Sequence, residues 1–179
     1  MPEAQQKILA ICGSTRRQSV NLALLQLLAE MVPKNWIFEI DVSIGGLPHF
    51  NQDEVGNPPA VVQSFHQRLQ WADGVIFCTP EYVFSLPGVV KNAIEWTVAT
   101  TLFSEKPVGL ITASSLGQKA HESLCLVMKT IYAKVHDDTS LLISGANAKV
   151  KASIEETDPE TAKAIIDFVA SFDAVLQNR

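Results

Sequence analysis

The chain has 179 residues, 47% of them hydrophobic and 18% charged, with a formal net charge of −5. These values predict one well-packed globular domain over residues 1–179. The acidic balance leaves no basic footprint for nucleic acid, and no apolar run approaches the roughly 20 residues that a membrane span needs.

Strand and helix patterns alternate along the chain. Residues 7–12 carry the apolar run Ile8-Leu9-Ala10-Ile11-Cys12, as expected of a strand buried on both faces. A polar turn follows, and residues 21–32 hold Leu24, Leu27, Leu28 and Met31 at helical spacing until Pro33 stops them. Residues 36–42 read as a second strand, with Ile37, Phe38 and Ile40. Residues 45–59 are rich in Gly, Pro and Asn and predict an irregular loop. Residues 59–71 predict a helix with Val62, Phe65 and Leu69 on one face.

Residues 74–78 form the next apolar strand. Pro87 sits where a first helical residue would, and that helix is expected to run through Trp96. Residues 107–112 predict a fourth strand, and residues 118–134 a helix with Leu124, Val127, Met128 and Ile131 in its stripe. Residues 140–143 predict a short fifth strand. Residues 146–158 are polar and are expected to be a mobile surface segment. Asp158-Pro159 caps a last helix whose Ile165, Phe168, Val169 and Phe172 face inward.

Five strands separated by helices imply parallel pairing through right-handed crossovers. The expected fold is therefore α/β, a flavodoxin-like three-layer sandwich: a five-stranded parallel sheet in the order 2-1-3-4-5 with helices on both faces. In such sheets ligands bind beyond the carboxyl ends of the strands, at the topological switch point.

Three loops should meet there. The first, Gly13-Ser-Thr-Arg-Arg-Gln-Ser-Val-Asn21, links a strand to a helix N-terminus, so backbone N–H groups and partial positive charge converge on one oxyanion. Ser14, Ser19 and Asn21 add donors, and Arg16 matches phosphate geometry. Arg17 reads equally well as a solvated charge. The loop lacks Gly-x-x-x-x-Gly-Lys-Ser/Thr and Gly-x-Gly-x-x-Gly, which excludes a Walker loop and a dinucleotide fingerprint. The second loop, Thr79 to Gly88, holds Tyr82, Phe84 and two prolines and can meet a flat ring closely. The third, Ala113-Ser-Ser-Leu-Gly-Gln118, is small and polar. Together they describe a site for a phosphorylated flat heterocycle, a description that FMN satisfies.

The sequence resembles the NADPH-dependent FMN reductase family, which includes flavodoxin-like quinone, azo-dye and chromate reductases. The matching stretches are Gly13 to Asn21, Leu47-Pro-His-Phe-Asn-Gln-Asp53, and Pro80-Glu-Tyr-Val-Phe-Ser-Leu-Pro-Gly-Val-Val-Lys-Asn-Ala-Ile-Glu-Trp96. The resemblance implies that Ser14, Arg16, Ser19 and Asn21 hold the FMN phosphate. It implies that Pro80, Glu81, Tyr82, Val83 and Ser85 border the isoalloxazine, with Ser114, Ser115 and Gly117 near its other side. It further implies hydride transfer from NADPH or NADH to flavin N5 and on to a quinone, azo, metal-oxyanion or similar small-molecule acceptor. No side-chain acid or base is required. A homodimer or homotetramer and a cytoplasmic location are expected. The alternative is a flavodoxin-like FMN electron carrier without NAD(P)H turnover. Two departures stand out: Val83 occupies the family's usual Asn position, and Ser114-Ser115-Leu116-Gly117 replaces its Ser-x-Gly-Gly loop.

Other residues have plainer readings. Lys91 and Glu95 are an i,i+4 pair that supports a helix. Trp96 reads as core or subunit contact, and His49 and Phe50 lie in a loop able to reach a neighbouring subunit. Cys12, Cys78 and Cys125 form no disulfide pattern, and the four histidines have no metal-ligand spacing.

Overall fold

The computed structural model describes residues 5–178, so the first four residues of the polar N-terminus lie outside it. Strands built on continuous apolar runs, such as 8–12 and 75–78, need cover on both faces, and the architecture supplies it. β1 (Gln6–Cys12), β2 (Trp36–Asp41), β3 (Gly74–Thr79), β4 (Val108–Ser114) and β5 (Ser140–Ser144) form one sheet in the order β2-β1-β3-β4-β5. Every pairing is parallel, and the expected order is observed.

Alternate residues of the strands feed two cores. Ile8, Ala10, Cys12, Ile76, Cys78, Ile111 and Ala113 face α1 (Val20–Met31) and α6 (Pro159–Gln177). Leu9, Ile11, Val75, Phe77, Val108 and Leu110 face α2 (Ala60–Trp71), α3 (Gly88–Glu95) and α4 (Gln118–Thr130). The end of β2 is tied down by charge. The buried Asp41 carboxylate accepts from the Ser43 N–H at 2.7 Å and pairs with Arg68 of α2 at 2.8 Å.

Two expectations need correction. The helix predicted to reach residue 134 ends at Thr130. Tyr132 adopts φ 61°, its N–H donates to Lys129 O, and Ala133 N donates to Met128 O, which is a Schellman termination built on Tyr rather than Gly. Residues 146–158 are ordered rather than mobile. They contain α5 (Ala146–Lys149) and a turn fastened by Lys151 N to Thr157 Oγ1 and by Asp158 N to Lys149 O. Buried Ala146, Val150 and Thr157 pin the segment. The polar composition of this stretch hid those three anchors. As expected, Asp158 caps α6, its carboxylate accepting from Thr161 N. No described helix is long and apolar enough to cross a membrane.

Candidate functional site

The loop after β1 starts where no side chain fits. A Cβ on Gly13 would lie 2.5 Å from Thr79 Oγ1 and 2.7 Å from Val90 Cγ2, so only glycine lets β1 run beside β3 and α3 here. Gly13 N donates to Cys78 O at 2.7 Å, extending the ladder. The chain then turns. Ser14 Oγ accepts from Arg16 N, and Ser19 caps α1 by accepting from Asn21 N. Both hydroxyl groups are buried, and each retains its own proton to donate. Asn21 is anchored inward: its Nδ2 donates to Ala113 O at 3.2 Å, and its Oδ1 accepts from Cys78 Sγ. The second Nδ2 hydrogen has no partner among the described residues. Arg16 and Arg17 are exposed and form no ion pair among the described residues.

After β3, Tyr82 and Ser85 exchange both backbone hydrogen bonds around a two-residue loop. The central residues, Val83 and Phe84, have φ of 52° and 53°, as a type I′ turn demands. That turn favours Asn and Gly, and a β-branched residue in it is strained. Val83 is 96% exposed, so no burial offsets the strain. Behind the turn, Glu81 joins two loops. Its N–H donates to Ser114 Oγ, and its Oε2 accepts from Ala120 N in the first turn of α4. The carboxylate therefore serves as a helix N-terminal cap across the site.

Gly117 has φ 91° and caps α4 from the left-handed region, where a Cβ would lie 2.9 Å from Leu142 Cδ1 and 3.2 Å from Thr112 Cγ2. Leu116 beside it is exposed. Its backbone carbonyl accepts from Ser144 Oγ, and Ser115 O accepts from Gly145 N, so the third loop is held to the end of β5.

The three loops enclose one cavity of about 140 Å³. Ser14, Arg16, Ser19, Asn21, Pro80, Glu81, Tyr82, Ser114 and Ser115 all line it. Val83, Ser85 and Gly117 do not. The first two belong to the projecting turn, and Gly117 lies one step behind the loop. Asn147 of α5 lines the cavity and was missed by sequence reasoning, because its segment read as mobile polar surface. Typical ligand pockets span roughly 300–1,000 Å³. This space is smaller, and Tyr82 in its wall is 46% exposed. Larger clefts occur elsewhere, and one of about 460 Å³ adjoins this cavity along α1, but these clefts are not lined by all three loops.

The chemistry around the cavity is polar and not nucleophilic. Burial pushes the Cys12 thiol up, and burial pushes Cys78 further up, so both stay protonated beneath the loop. No described group of His, Cys, Asp and Glu has the makings of a metal site. Behind the third loop, His121 of α4 bridges the sheet. Its Nδ1 lies 2.9 Å from Thr112 Oγ1 and its Nε2 3.1 Å from Ser140 Oγ. Burial lowers its pKa, against a smaller opposing influence from Glu122.

The loop 45–59 docks on its own subunit. Asn92 accepts from Phe50 N and donates to Pro48 O, and Trp96 Nε1 donates to the same carbonyl at 2.8 Å. Phe50 packs edge-on against Trp96, which is buried, while Lys91 pairs with Glu95. Through these contacts residues 48–50 and 92–96 hold each other in place.

Comparison with known proteins bears on the family and the fold. The model of the NADPH-dependent FMN reductase family matches residues 6–148. A 2-hydroxy-1,4-benzoquinone reductase of Burkholderia sp is 29% identical, over 97% of each chain. An NAD(P)H-dependent FMN reductase of Pseudomonas aeruginosa is 41% identical over 61% of this chain and 60% of that one. Among solved structures, the flavoenzyme NAD(P)H:(acceptor) oxidoreductase of Paracoccus denitrificans superposes with a TM-score of 0.79 at 25% identity, covering 97% of this chain and 98% of the other.

Proposed function

Since the chain belongs to the NADPH-dependent FMN reductase family, we propose that it is an FMN-dependent oxidoreductase that moves electrons from NAD(P)H to a quinone-type acceptor. The observation that carries the proposal is the convergence of Ser14, Arg16 and Ser19 with Pro80–Tyr82 and Ser114–Ser115 on one cavity at the switch point of the sheet.

The donor set suits FMN. The Ser14 and Ser19 hydroxyls, the free Asn21 Nδ2 hydrogen and the unpaired Arg16 guanidinium are all donors, as a phosphate dianion requires. The N-terminus of α1 adds its partial positive charge. When bound, FMN supplies the two-electron carrier chemistry of the reaction. The protein contributes placement. Ser114 and Ser115 offer hydroxyls and amides to the polar edge of a ring, and Pro80 and Tyr82 wall off water on one side. Glu81 holds the second loop to α4 and transfers no proton. Val83 and Ser85 border the ring as parts of the projecting turn, and Gly117 sets the course of the loop that carries Ser114 and Ser115.

The turn also bears on the acceptor. Tyr82, Val83 and Phe84 present exposed apolar surface at the cavity mouth, which suits an aromatic acceptor such as a quinone or an azo compound. The Burkholderia relative is named for a benzoquinone, which supports that class. A homodimer or homotetramer belongs to the same proposal. An apolar groove of about 380 Å³, with Phe50, Ile94, Val98, Val127 and Ile131 among its walls, offers a surface for a second copy.

The test is an anaerobic titration of the FMN-loaded protein with NADPH, followed in the visible spectrum. Direct loss of the flavin band, with recovery on adding benzoquinone, is expected. Bound FMN whose band persists in excess NADPH and excess NADH would instead identify an electron carrier.

A further inference from the structure

A second cavity adjoins the phosphate cradle. It lies between α1 and the segment after α5, measures about 460 Å³, and shares Ser19, Val20 and Asn147 with the first. Its own walls include Arg17, Gln18, Leu22, Gln26 and Lys151. No acidic residue lines it, although the whole chain carries a net charge of −5. The Arg17 guanidinium and the Lys151 ammonium form no ion pair or hydrogen bond with the described residues. The backbone at Lys151 is anchored, because Lys151 N donates to Thr157 Oγ1 and the neighbouring Val150 is buried.

Consecutive arginines are thus divided between two cavities: Arg16 lines the first and Arg17 the second. Ser19 and Val20 line both cavities, and we take the boundary they form as a shared ridge. A single phosphate engages one side of that ridge. A pyrophosphate can cross it, leaving one phosphate with Ser14, Arg16 and Ser19 and giving the next to Arg17 and Lys151. Beyond that point Leu22 and Val20 supply an apolar wall for a flat base, and the Gln18 and Gln26 amides can meet a base edge with both donors and acceptors.

We propose that this groove takes the adenylyl half of a flavin adenine dinucleotide, so that the chain binds FAD as well as FMN, with the same flavin half in the same cradle. The proposal rests on the assignment of Ser14, Arg16 and Ser19 to the FMN phosphate. The groove's chemistry, an adenosine diphosphate site, is also that of the far end of NAD(P)H. Its continuity with the phosphate cradle rather than with the open face beside Tyr82 favours the flavin dinucleotide.

The test is titration of flavin-free full-length protein with FMN and with FAD, read by quenching of flavin fluorescence and by the ligand-induced rise in Tm. Wild-type protein and the double variant Arg17→Ala/Lys151→Ala are compared. FAD is expected to bind wild-type protein at least as tightly as FMN. The double variant is expected to weaken FAD about tenfold or more and to leave FMN within about twofold, since loss of two charge-assisted contacts is worth at least one decade in Kd. FAD binding weaker than FMN binding in wild-type protein overturns the proposal and leaves the FMN cradle standing. Equal effects on both flavins overturn it as well. Unchanged flavin binding with a raised KM for NADPH reassigns the groove to the pyridine nucleotide and also overturns it. Failure of both flavins to bind wild-type protein defeats the cradle and this proposal together.

Discussion

Val83 shows how a single residue exposes the tension between folding and function. Its φ of 52° lies where L side chains clash with their own backbone, and the penalty for a residue in that region is about 1–2 kcal/mol. With the side chain almost wholly in solvent, nothing in the monomer repays it. Asn tolerates this region because its short polar side chain bonds locally. Val83→Asn is therefore expected to stabilise the protein by about 1 kcal/mol, a rise in Tm of about 2–4 °C for a chain of this size. A Tm that stays level or falls in a thermal melt contradicts the strain argument. The strain sits at the mouth of the cavity, as strain at functional sites commonly does. Glu81 teaches the opposite lesson. The resemblance places it beside the flavin ring, and its hydrogen bonds from Ala120 N and to Ser114 Oγ make it a cap that fixes two loops.

At the scale of elements, α4 is joined to the sheet by His121, wedged between Thr112 and Ser140. Burial lowers the pKa of this imidazole from 6.5, so near that pH the unfolded chain binds more protons than the folded one. Its contribution to stability is thus complete above pH 6.5 and declines as the pH falls through and below that value. His121→Gln should flatten the fall in urea-denaturation stability between neutral and mildly acidic pH, while wild-type protein shows it. Parallel slopes for both proteins would remove His121 as the cause.

Element boundaries also mark what the sequence could and could not disclose. The start of α6 was legible from Asp158, and that of α3 to within one residue, since Pro87 stands at its N-cap rather than at its first position; α1 begins at Val20, one residue before the expected start, because Ser19 caps it. The end of α4 was not legible, because its Schellman turn uses Tyr132 where a glycine is the usual sign. Residues 146–158 were misjudged for a related reason: their order comes from tertiary anchors, Ala146, Val150 and Thr157, which composition alone does not separate from solvated chain.

For the whole molecule, long apolar runs with no polar alternate left little freedom. They demanded a sheet covered on both faces, and right-handed crossovers then restricted the strand order. The cavity's location followed from topology, and most of its lining followed from the three loops. Asn147 escaped because it arrives on α5 from beyond the fifth strand. Molecular scale also bears on assembly. Val98 is 61% exposed at the rim of the groove walled by Ile94, Val127 and Ile131, where an apolar surface gains from a second copy. Light scattering is expected to give a multiple of the 19.5 kDa chain mass for wild-type protein and a shift toward that mass for Val98→Glu. A wild-type mass equal to one chain rules out this assembly.

The phosphate cradle between Gly13 and Asn21 is the central claim, and one comparison tests it most directly: FMN titration of wild-type protein and Arg16→Ala, each accompanied by a thermal melt without flavin. Arg16 is exposed and unpaired within the chain, so its removal is expected to change flavin-free stability by no more than about 0.5 kcal/mol. Loss of a charge-assisted contact to phosphate is worth about 1.5–3 kcal/mol, or about 10- to 150-fold in Kd. The account predicts that rise in Kd with an unmoved Tm. Equal FMN affinity in the two proteins contradicts it.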